Sequence, residues 1–177
     1  MTIKKNIFKW EAFGIVFVFL IGALLHFVFE WSGESKLVGL FASVNESVWE
    51  HFKQGFWPMC LYAAIEYKFL GVNYFFAAKA VAVYLIPIIT GTVFYGYTAV
   101  VGHEILLVDI SIFLIAIIIG QFVSYRLMIS EKLPRYSNGI GFVFIVLLAS
   151  ILILFTLFPP HLPIFLDGNT GTYGIPG

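Results

Sequence analysis

Charged side chains are scarce in this 177-residue chain, where Asp, Glu, Lys and Arg together make up only 11% of the residues. The ten basic and ten acidic residues cancel, so no basic field is available for a phosphate backbone and no nucleic-acid partner is expected. Cysteine occurs once, at Cys60, which excludes an intramolecular disulfide and a thiolate metal cluster. The sequence also lacks a Gly-rich phosphate loop, a Gly-x-Ser-x-Gly elbow and a His-Glu-x-x-His motif. Any site must therefore be assembled from separate segments.

Apolar residues are abundant instead, at 60% of the chain, which lies outside the range of soluble domains. Uncharged runs at 12–29, 80–102 and 140–158 are each long enough to cross a hydrocarbon core of about 30 Å. Two further segments, 105–125 and 56–70, are apolar but contain Asp109 and Glu66. The sequence predicts an all-α integral membrane protein, a single transmembrane domain over 1–177 with a bundle of about five helices.

The distribution of basic residues predicts the orientation of this bundle. Five spans with the N-terminus in the cytoplasm leave only Lys36 and Lys53 of the ten Lys and Arg residues on the outer side, as the positive-inside rule requires. The same topology places a loop at 31–53 and a tail at 159–177 on the outer face. It also brings the four histidines to that face: His26, His51, His103 and His161.

The loop contains the most polar stretch of the chain, "VNESVWEH" at residues 44–51. Ser43 and Glu46 match a capping box, which predicts an amphipathic outer-face helix near 44–53 that is interrupted before Pro58. One interpretation makes this an interfacial helix in which Glu46 caps the backbone and Glu50 pairs with Lys53 at the surface. The other turns Glu46 and Glu50 toward an outward-facing cavity.

Histidine and carboxylate side chains on the predicted outer face supply the ligand types that zinc accepts. We predict His26, His51, His103 and Asp109 as metal ligands, with Glu46 or Glu50 as the catalytic general base. His103 is the expected partner of Asp109. No local spacing supports this set, so the prediction of a divalent metal such as zinc depends on topology alone, and whether His161 and Asp167 of the tail join the site stays open.

Three stretches carry a resemblance to a known family: "HFVFEWSG…LVGLFASVNESVWEHFKQGFWPM", "SYRL" after the fourth span, and "FPPHLPIFLDGNTGTYG" near the end. Together they resemble an uncharacterised family of small bacterial multi-pass membrane proteins, known as a domain of unknown function. The resemblance implies a bacterial plasma membrane and no particular activity. A looser similarity links the chain to membrane hydrolases with a zinc site built from His, Asp and Ser, although this chain has fewer spans and no paired histidines on one late helix.

Two functions fit these features. The first is an outward-facing, metal-dependent hydrolase of a lipid or lipid-linked substrate, with the lipid bilayer as its environment. The second is a non-enzymatic transport or small-molecule-binding component. It would use the polar residues of the third span, among them Tyr84, Thr90 and Tyr97, around Pro87.

Overall fold

A computed structural model describes residues 2–130, 132–134 and 136–175, and in this part of the chain the regular structure is helical. The only β feature there is an isolated bridge between Leu166 and Tyr173. The helices are α1 (Thr2–Trp31), the single-turn α2 (Lys36–Gly39), α3 (Val48–Leu70), α4 (Phe75–Val101), α5 (Leu106–Ser130) and α6 (Ser137–Leu157), followed by a 3-10 turn at Pro163–Phe165. The predicted all-α class is confirmed for the described residues.

Four of these helices are long and apolar enough to cross a membrane: α1 from Ile3, α4, α5 and α6. Their outward surfaces expose large apolar side chains, such as Phe13, Phe122 and Val143, as expected for helices that face lipid. The fifth long helix, α3, does not meet the same criterion. It nevertheless runs the length of the bundle, because Glu50 near its start contacts Thr156 of α6 and Glu66 near its end contacts Lys79 of α4.

The long helices alternate in direction, so each end of the bundle gathers distant parts of the sequence. One end is formed by the last turns of α1, α4 and α6 and the first turns of α3 and α5. We call it the His end, because all four histidines lie on these turns or in the segments that connect them. The opposite end, the Lys end, carries seven of the basic residues that the structure describes: Lys4, Lys5, Lys9, Lys68, Lys79, Arg126 and Lys132. Arg135, which was predicted for this side, lies outside the described residues.

The predicted helix near 44–53 is wrong in its start and in its end. Ser47, not Ser43, is the N-cap of α3: it has extended backbone angles, and its side chain accepts a hydrogen bond from the Glu50 N–H. Residues 44–47 are not helical, and α3 continues through Pro58 to Leu70. A packed bundle tolerates an internal proline because neighbouring helices cover the carbonyl that it frees. Here α1 does so at Gly22, where an added Cβ would be 2.4 Å from the Gln54 carbonyl oxygen.

The core lies around α3, which packs between α1 and α4. Phe52, Phe56, Met59 and Tyr62 of α3 are buried against apolar residues of α1, α4, α5 and α6. The most polar of the long helices is therefore enclosed between two others. Burying its polar groups requires partners inside the bundle.

Helices α4 and α6 touch through their backbones at Gly141. A Cβ at this position would be 2.5 Å from both the Cα of Ala77 and the carbonyl oxygen of Phe76. We expect Gly141→Ala to lower the free energy of unfolding by about 1–3 kcal/mol, because backbone atoms cannot move aside as a flexible side chain can. Reversible unfolding in mixed micelles measures this. Gly139→Ala in the same helix is the control, since a Cβ there meets nothing within 4 Å, and an equal loss in both variants would contradict the close approach.

Candidate functional site

Three side chains converge at the His end: His26 of α1, Glu46 of the loop before α3, and His51 in the first turn of α3. The Nε2 atom of His26 is 3.4 Å from Oε1 of Glu46, and Nε2 of His51 is 3.5 Å from Oε2 of the same carboxylate. One ligand atom from each residue lies within 4.8 Å of the other two. The three side chains are partly exposed, with 28% of His26, 33% of His51 and 45% of Glu46 accessible, so water and solutes reach the cluster.

A backbone hydrogen bond on the side of the ring away from Glu46 fixes the orientation of His51. Its Nδ1 atom is 2.8 Å from the carbonyl oxygen of Ser47, the N-cap residue. A carbonyl can only accept, so Nδ1 carries the hydrogen, and in the neutral ring the lone pair is on Nε2, toward Glu46. A ring N–H donated to a backbone carbonyl is the arrangement that commonly supports a metal-binding histidine.

His26 is held by a hydrogen-bond chain that begins at the backbone of α3. The Ser43 hydroxyl donates to the Glu50 carbonyl oxygen (3.1 Å) and accepts from Nε2 of Gln54 (3.1 Å). The same Gln54 nitrogen donates to Nδ1 of His26 at 2.9 Å. In this arrangement the hydrogen of neutral His26 is on Nε2, facing Glu46.

The distances between the histidine nitrogens and the Glu46 oxygens can be compared with those of a direct hydrogen bond and of two ligands on one metal ion. Hydrogen bonds between N–H and oxygen are about 2.7–3.2 Å long, shorter than either His–Glu distance here. Two ligands each about 2.1 Å from a zinc ion at the tetrahedral angle lie about 3.4 Å apart. The two His–Glu contacts have similar lengths, 3.4 and 3.5 Å, and reach different oxygens of the Glu46 carboxylate. Neutral His51 also directs a lone pair at a carboxylate, an unfavourable pairing unless a proton or a metal cation lies between them.

The loop that carries Glu46 is fixed to α3 and to the C-terminal tail. Asn45 donates through Nδ2 to the Gly174 carbonyl (2.9 Å), and its Oδ1 accepts from the Ser47 N–H (2.9 Å). Burial raises the pKa of Asp167, but backbone N–H groups, including that of Glu46, and the Thr170 hydroxyl outweigh it and lower the pKa below its ordinary value. Asp167 therefore supports the Glu46 loop as a carboxylate.

The tail thus contributes structure rather than a ligand. Phe165 packs on Trp49 of α3 with 4.8 Å between ring centroids, which places the 3-10 turn against the start of that helix. His161 is exposed and lies edge-on to Tyr173, at 4.6 Å between centroids. Neither His161 nor Asp167 belongs to the three-residue cluster.

Glu50 does not fit the role of general base that the sequence suggested. It is 2% exposed and forms an ion pair with Lys53, which is fully buried. Its carboxylate also accepts from the Val44 N–H at 3.1 Å and from the Thr156 hydroxyl at 3.0 Å, and Lys53 donates to the Gly39 carbonyl at 2.7 Å. The predicted surface pair is thus a buried junction between α2, the loop, α3 and α6.

Two other predicted ligands lie apart from the cluster. The Asp109 carboxylate accepts from the Tyr97 hydroxyl at 2.6 Å, and that hydroxyl accepts from the Ile105 N–H at 2.9 Å. Asp109 therefore joins α4 to the start of α5, with Tyr97 rather than His103 as its partner. His103 is exposed in the turn between these helices. Among the described residues, the group of His, Cys, Asp and Glu spaced to hold a metal contains His26, Glu46 and His51 alone.

The sequence did not predict which residues would hydrogen-bond to the two histidines and hold them in place, chiefly Gln54, Ser43 and Ser47. Gln54 gives one usable signal, since it is one helical turn after His51 on a helix that must be buried. Its approach to His26 depends on the packing of α1 against α3, which no local pattern specifies.

Comparison with known proteins identifies the chain by family. The model of a family of unknown function, DUF6512, matches residues 1–175, so the chain belongs to that family and the predicted resemblance to an uncharacterised domain is confirmed. Neither the curated proteins nor the solved structures gave a match.

Proposed function

We propose that this member of a family of unknown function binds a divalent metal ion, such as zinc, through His26, Glu46 and His51, and uses it to hydrolyse a lipid or lipid-linked substrate. In this proposal α3 is a fifth span, the N-terminus is cytoplasmic, and the His end faces the outside of the plasma membrane. The observation that carries the proposal is the convergence of the three side chains, each of which places one ligand atom within 4.8 Å of the other two.

The number of ligands suits catalysis better than a structural role. Catalytic zinc sites use three protein ligands and keep the fourth position for water or substrate, whereas structural sites fill all four. Here two histidines and one carboxylate supply three ligands, and the exposure of Glu46 leaves the remaining side toward solvent. A bound ion would lower the pKa of its water toward neutrality and polarise a substrate oxygen. Glu46 then acts as a ligand, and Glu50 supports the fold.

An apolar groove beside the site favours a lipid as the substrate. It is lined by Ile21 and Leu25 of α1, Phe41 of the loop, and Trp57 and Leu61 of α3. Leu25 adjoins His26 in the sequence, and Trp57 is one turn after Gln54, so the groove between α1 and α3 lies near the cluster, although its lining contains none of the three cluster residues. An acyl chain in this groove would bring its ester or phosphate group to the metal.

The proposal is tested by metal content and metal affinity. Purified full-length protein is expected to bind one zinc ion, with the affinity rising with pH because binding displaces protons from the histidines. Glu46→Gln and His51→Ala should each lose at least about 100-fold in affinity, since two ligands rarely hold zinc against water. Glu104→Gln, an exposed carboxylate at the same end, is the control. Equal zinc affinity in wild type and Glu46→Gln would refute the metal site.

Hydrolysis is tested separately, with zinc-loaded protein and vesicles of phospholipid bearing a fluorescent acyl ester. Release of the fluorophore that requires zinc and is lost in Glu46→Gln supports the enzyme. Stoichiometric zinc without turnover across lipid classes would instead favour the transport or binding alternative. That alternative relies on the polar residues of α4. Two of them are already engaged within the protein, because Tyr84 donates to the Phe144 carbonyl and Tyr97 donates to Asp109.

A further inference from the structure

A second polar cluster lies in the half of the bundle nearer the Lys end, and no step of the proposed hydrolysis uses it. The Lys79 Nζ atom of α4 donates to both carboxylate oxygens of Glu11 on α1 (2.9 Å each) and to Oε1 of Gln121 on α5 (3.1 Å). It also lies 2.7 Å from Oε2 of Glu66 on α3, in an ion-pair contact without hydrogen-bond geometry. Lys79 and Glu66 are fully buried, and Glu11 is 3% exposed.

The charges of this cluster do not balance if all three groups are ionised. Two carboxylates and one ammonium leave one net negative charge in a dry interior, which is costly without a further cation. The charged and titratable groups that face Glu66 are Lys79, Glu11 and Tyr62, and the Tyr62 hydroxyl is already donated to the Trp10 carbonyl. No second basic side chain among these groups neutralises the excess.

The two carboxylates differ in how well their oxygens are satisfied. Glu11 accepts from Lys79 and from the Ser124 hydroxyl at 2.7 Å. Glu66 has Lys79 as its one nearby cation, 2.7 Å from Oε2 but poorly aligned for a hydrogen bond, and no donor reaches its Oε1 within the described part of the chain. A buried carboxylate with so few donors is more readily protonated than one with several, which tolerates burial as an anion.

We propose that Glu66 is a proton-binding site: the resting cluster contains Lys79 as ammonium, Glu11 as carboxylate and Glu66 as a neutral carboxylic acid that takes up and releases one proton. Glu66 is one turn before the end of α3 at Leu70, and Lys79 is one turn after the start of α4 at Phe75. At about 1.5 Å per residue both are roughly 6 Å from the Lys end. The solution at the Lys end, opposite the metal cluster, is therefore the nearer one for this proton.

Infrared spectroscopy of full-length protein in lipid nanodiscs detects the proton directly. Wild type should show the carbonyl band of a buried carboxylic acid at neutral pH, and this band should vanish in Glu66→Gln and persist in the control Glu104→Gln. A spectrum of wild type without such a band, or a band that persists in Glu66→Gln, would overturn the proposal.

Unfolding in mixed micelles tests which carboxylate carries the proton. Glu66→Gln replaces a neutral acid with a neutral amide and should keep wild-type stability at low pH, whereas Glu11→Gln removes the acceptor of Lys79 and Ser124 and should destabilise the fold. A larger loss in Glu66→Gln than in Glu11→Gln would assign the proton to Glu11 and contradict the proposal.

The pH dependence of stability gives a third readout. The folded state keeps a proton that an unfolded glutamate loses near pH 4.3, so wild-type stability should fall as the pH rises from there until the folded site also releases it. The unfolding equilibrium constant of wild type relative to Glu66→Gln should increase by up to about tenfold per pH unit over this range. A ratio that does not change with pH would contradict proton binding at Glu66.

Discussion

Glu50→Gln is expected to destabilise the protein by about 3–5 kcal/mol, the cost of removing one partner of a buried ion pair. The change leaves the Lys53 ammonium, which is fully buried, without its countercharge. Its remaining acceptors, the Gly39 carbonyl at 2.7 Å and the Thr156 hydroxyl at 3.1 Å, are neutral. The loss of charge rather than of shape is responsible, because glutamine fills nearly the same volume.

A double-mutant cycle in mixed micelles measures this interaction. Lys53→Met alone should cost as much as Glu50→Gln, since it leaves the carboxylate unpaired, while the double variant should recover much of the loss. Glu46→Gln, measured on metal-free protein, is the matched control: it lies four residues earlier and is 45% exposed, and should change stability by less than about 0.5 kcal/mol. Equal stability of wild type and Glu50→Gln would show that the junction is solvated and would reopen Glu50 as a candidate base.

The difference between Glu46 and Glu50 illustrates what the sequence could and could not predict. Both Ser43-x-x-Glu46 and Ser47-x-x-Glu50 fit the capping pattern, and they imply different helix starts. Only the second start turns Glu50 inward on α3 and leaves Glu46 on a non-helical segment beside the histidines. The second helix start is stabilised by the buried hydrogen bond from the Val44 N–H to the Glu50 carboxylate, which forms only when the loop is folded against α3.

Topology predicted more of the site than local spacing did. The helical class follows from apolar runs of membrane-spanning length, and alternation of the helices brings His26 and His51 to one end whatever the details of packing. Two histidines at the same end of the bundle need not be in contact. His103 reaches the same end in the turn between α4 and α5, where its helices hold it apart from the cluster.

The hydropathy of α3 could not reveal how much of this helix is buried. Glu50, Lys53, Gln54 and Glu66 make this helix the most polar of the five, and all four are buried. A polar helix buried in a membrane bundle is stable only because α1, α4 and α6 supply its polar partners, among them His26, Lys79 and Thr156. Such partners are distant in the sequence, so a window of neighbouring residues does not detect them.

Gln54→Leu is expected to weaken zinc binding by about 10- to 100-fold, although Gln54 is not a ligand. To bind metal through Nε2, His26 must move its hydrogen to Nδ1, and the Gln54 amide must turn so that its oxygen accepts from Nδ1. The 2.9 Å contact between Gln54 and His26 already has the length for this bond. Leucine offers no acceptor, so the metal-binding form of His26 would leave a partly buried N–H unsatisfied.

Gln54→Glu provides the matched comparison, because a carboxylate oxygen in the same place accepts from Nδ1 without any reorientation. Carboxylate–histidine–metal arrangements raise the basicity of the ligand nitrogen, so we expect Gln54→Glu to bind zinc at least as tightly as wild type. Both substitutions also remove the bond from Gln54 to the Ser43 hydroxyl, so a loss of structure at that point would affect them alike. Competitive zinc titration of the three proteins, with unfolding measured in parallel, distinguishes the cases. Similar affinities in Gln54→Leu and wild type would show that His26 needs no acceptor from Gln54 and would contradict the supporting role predicted for Gln54.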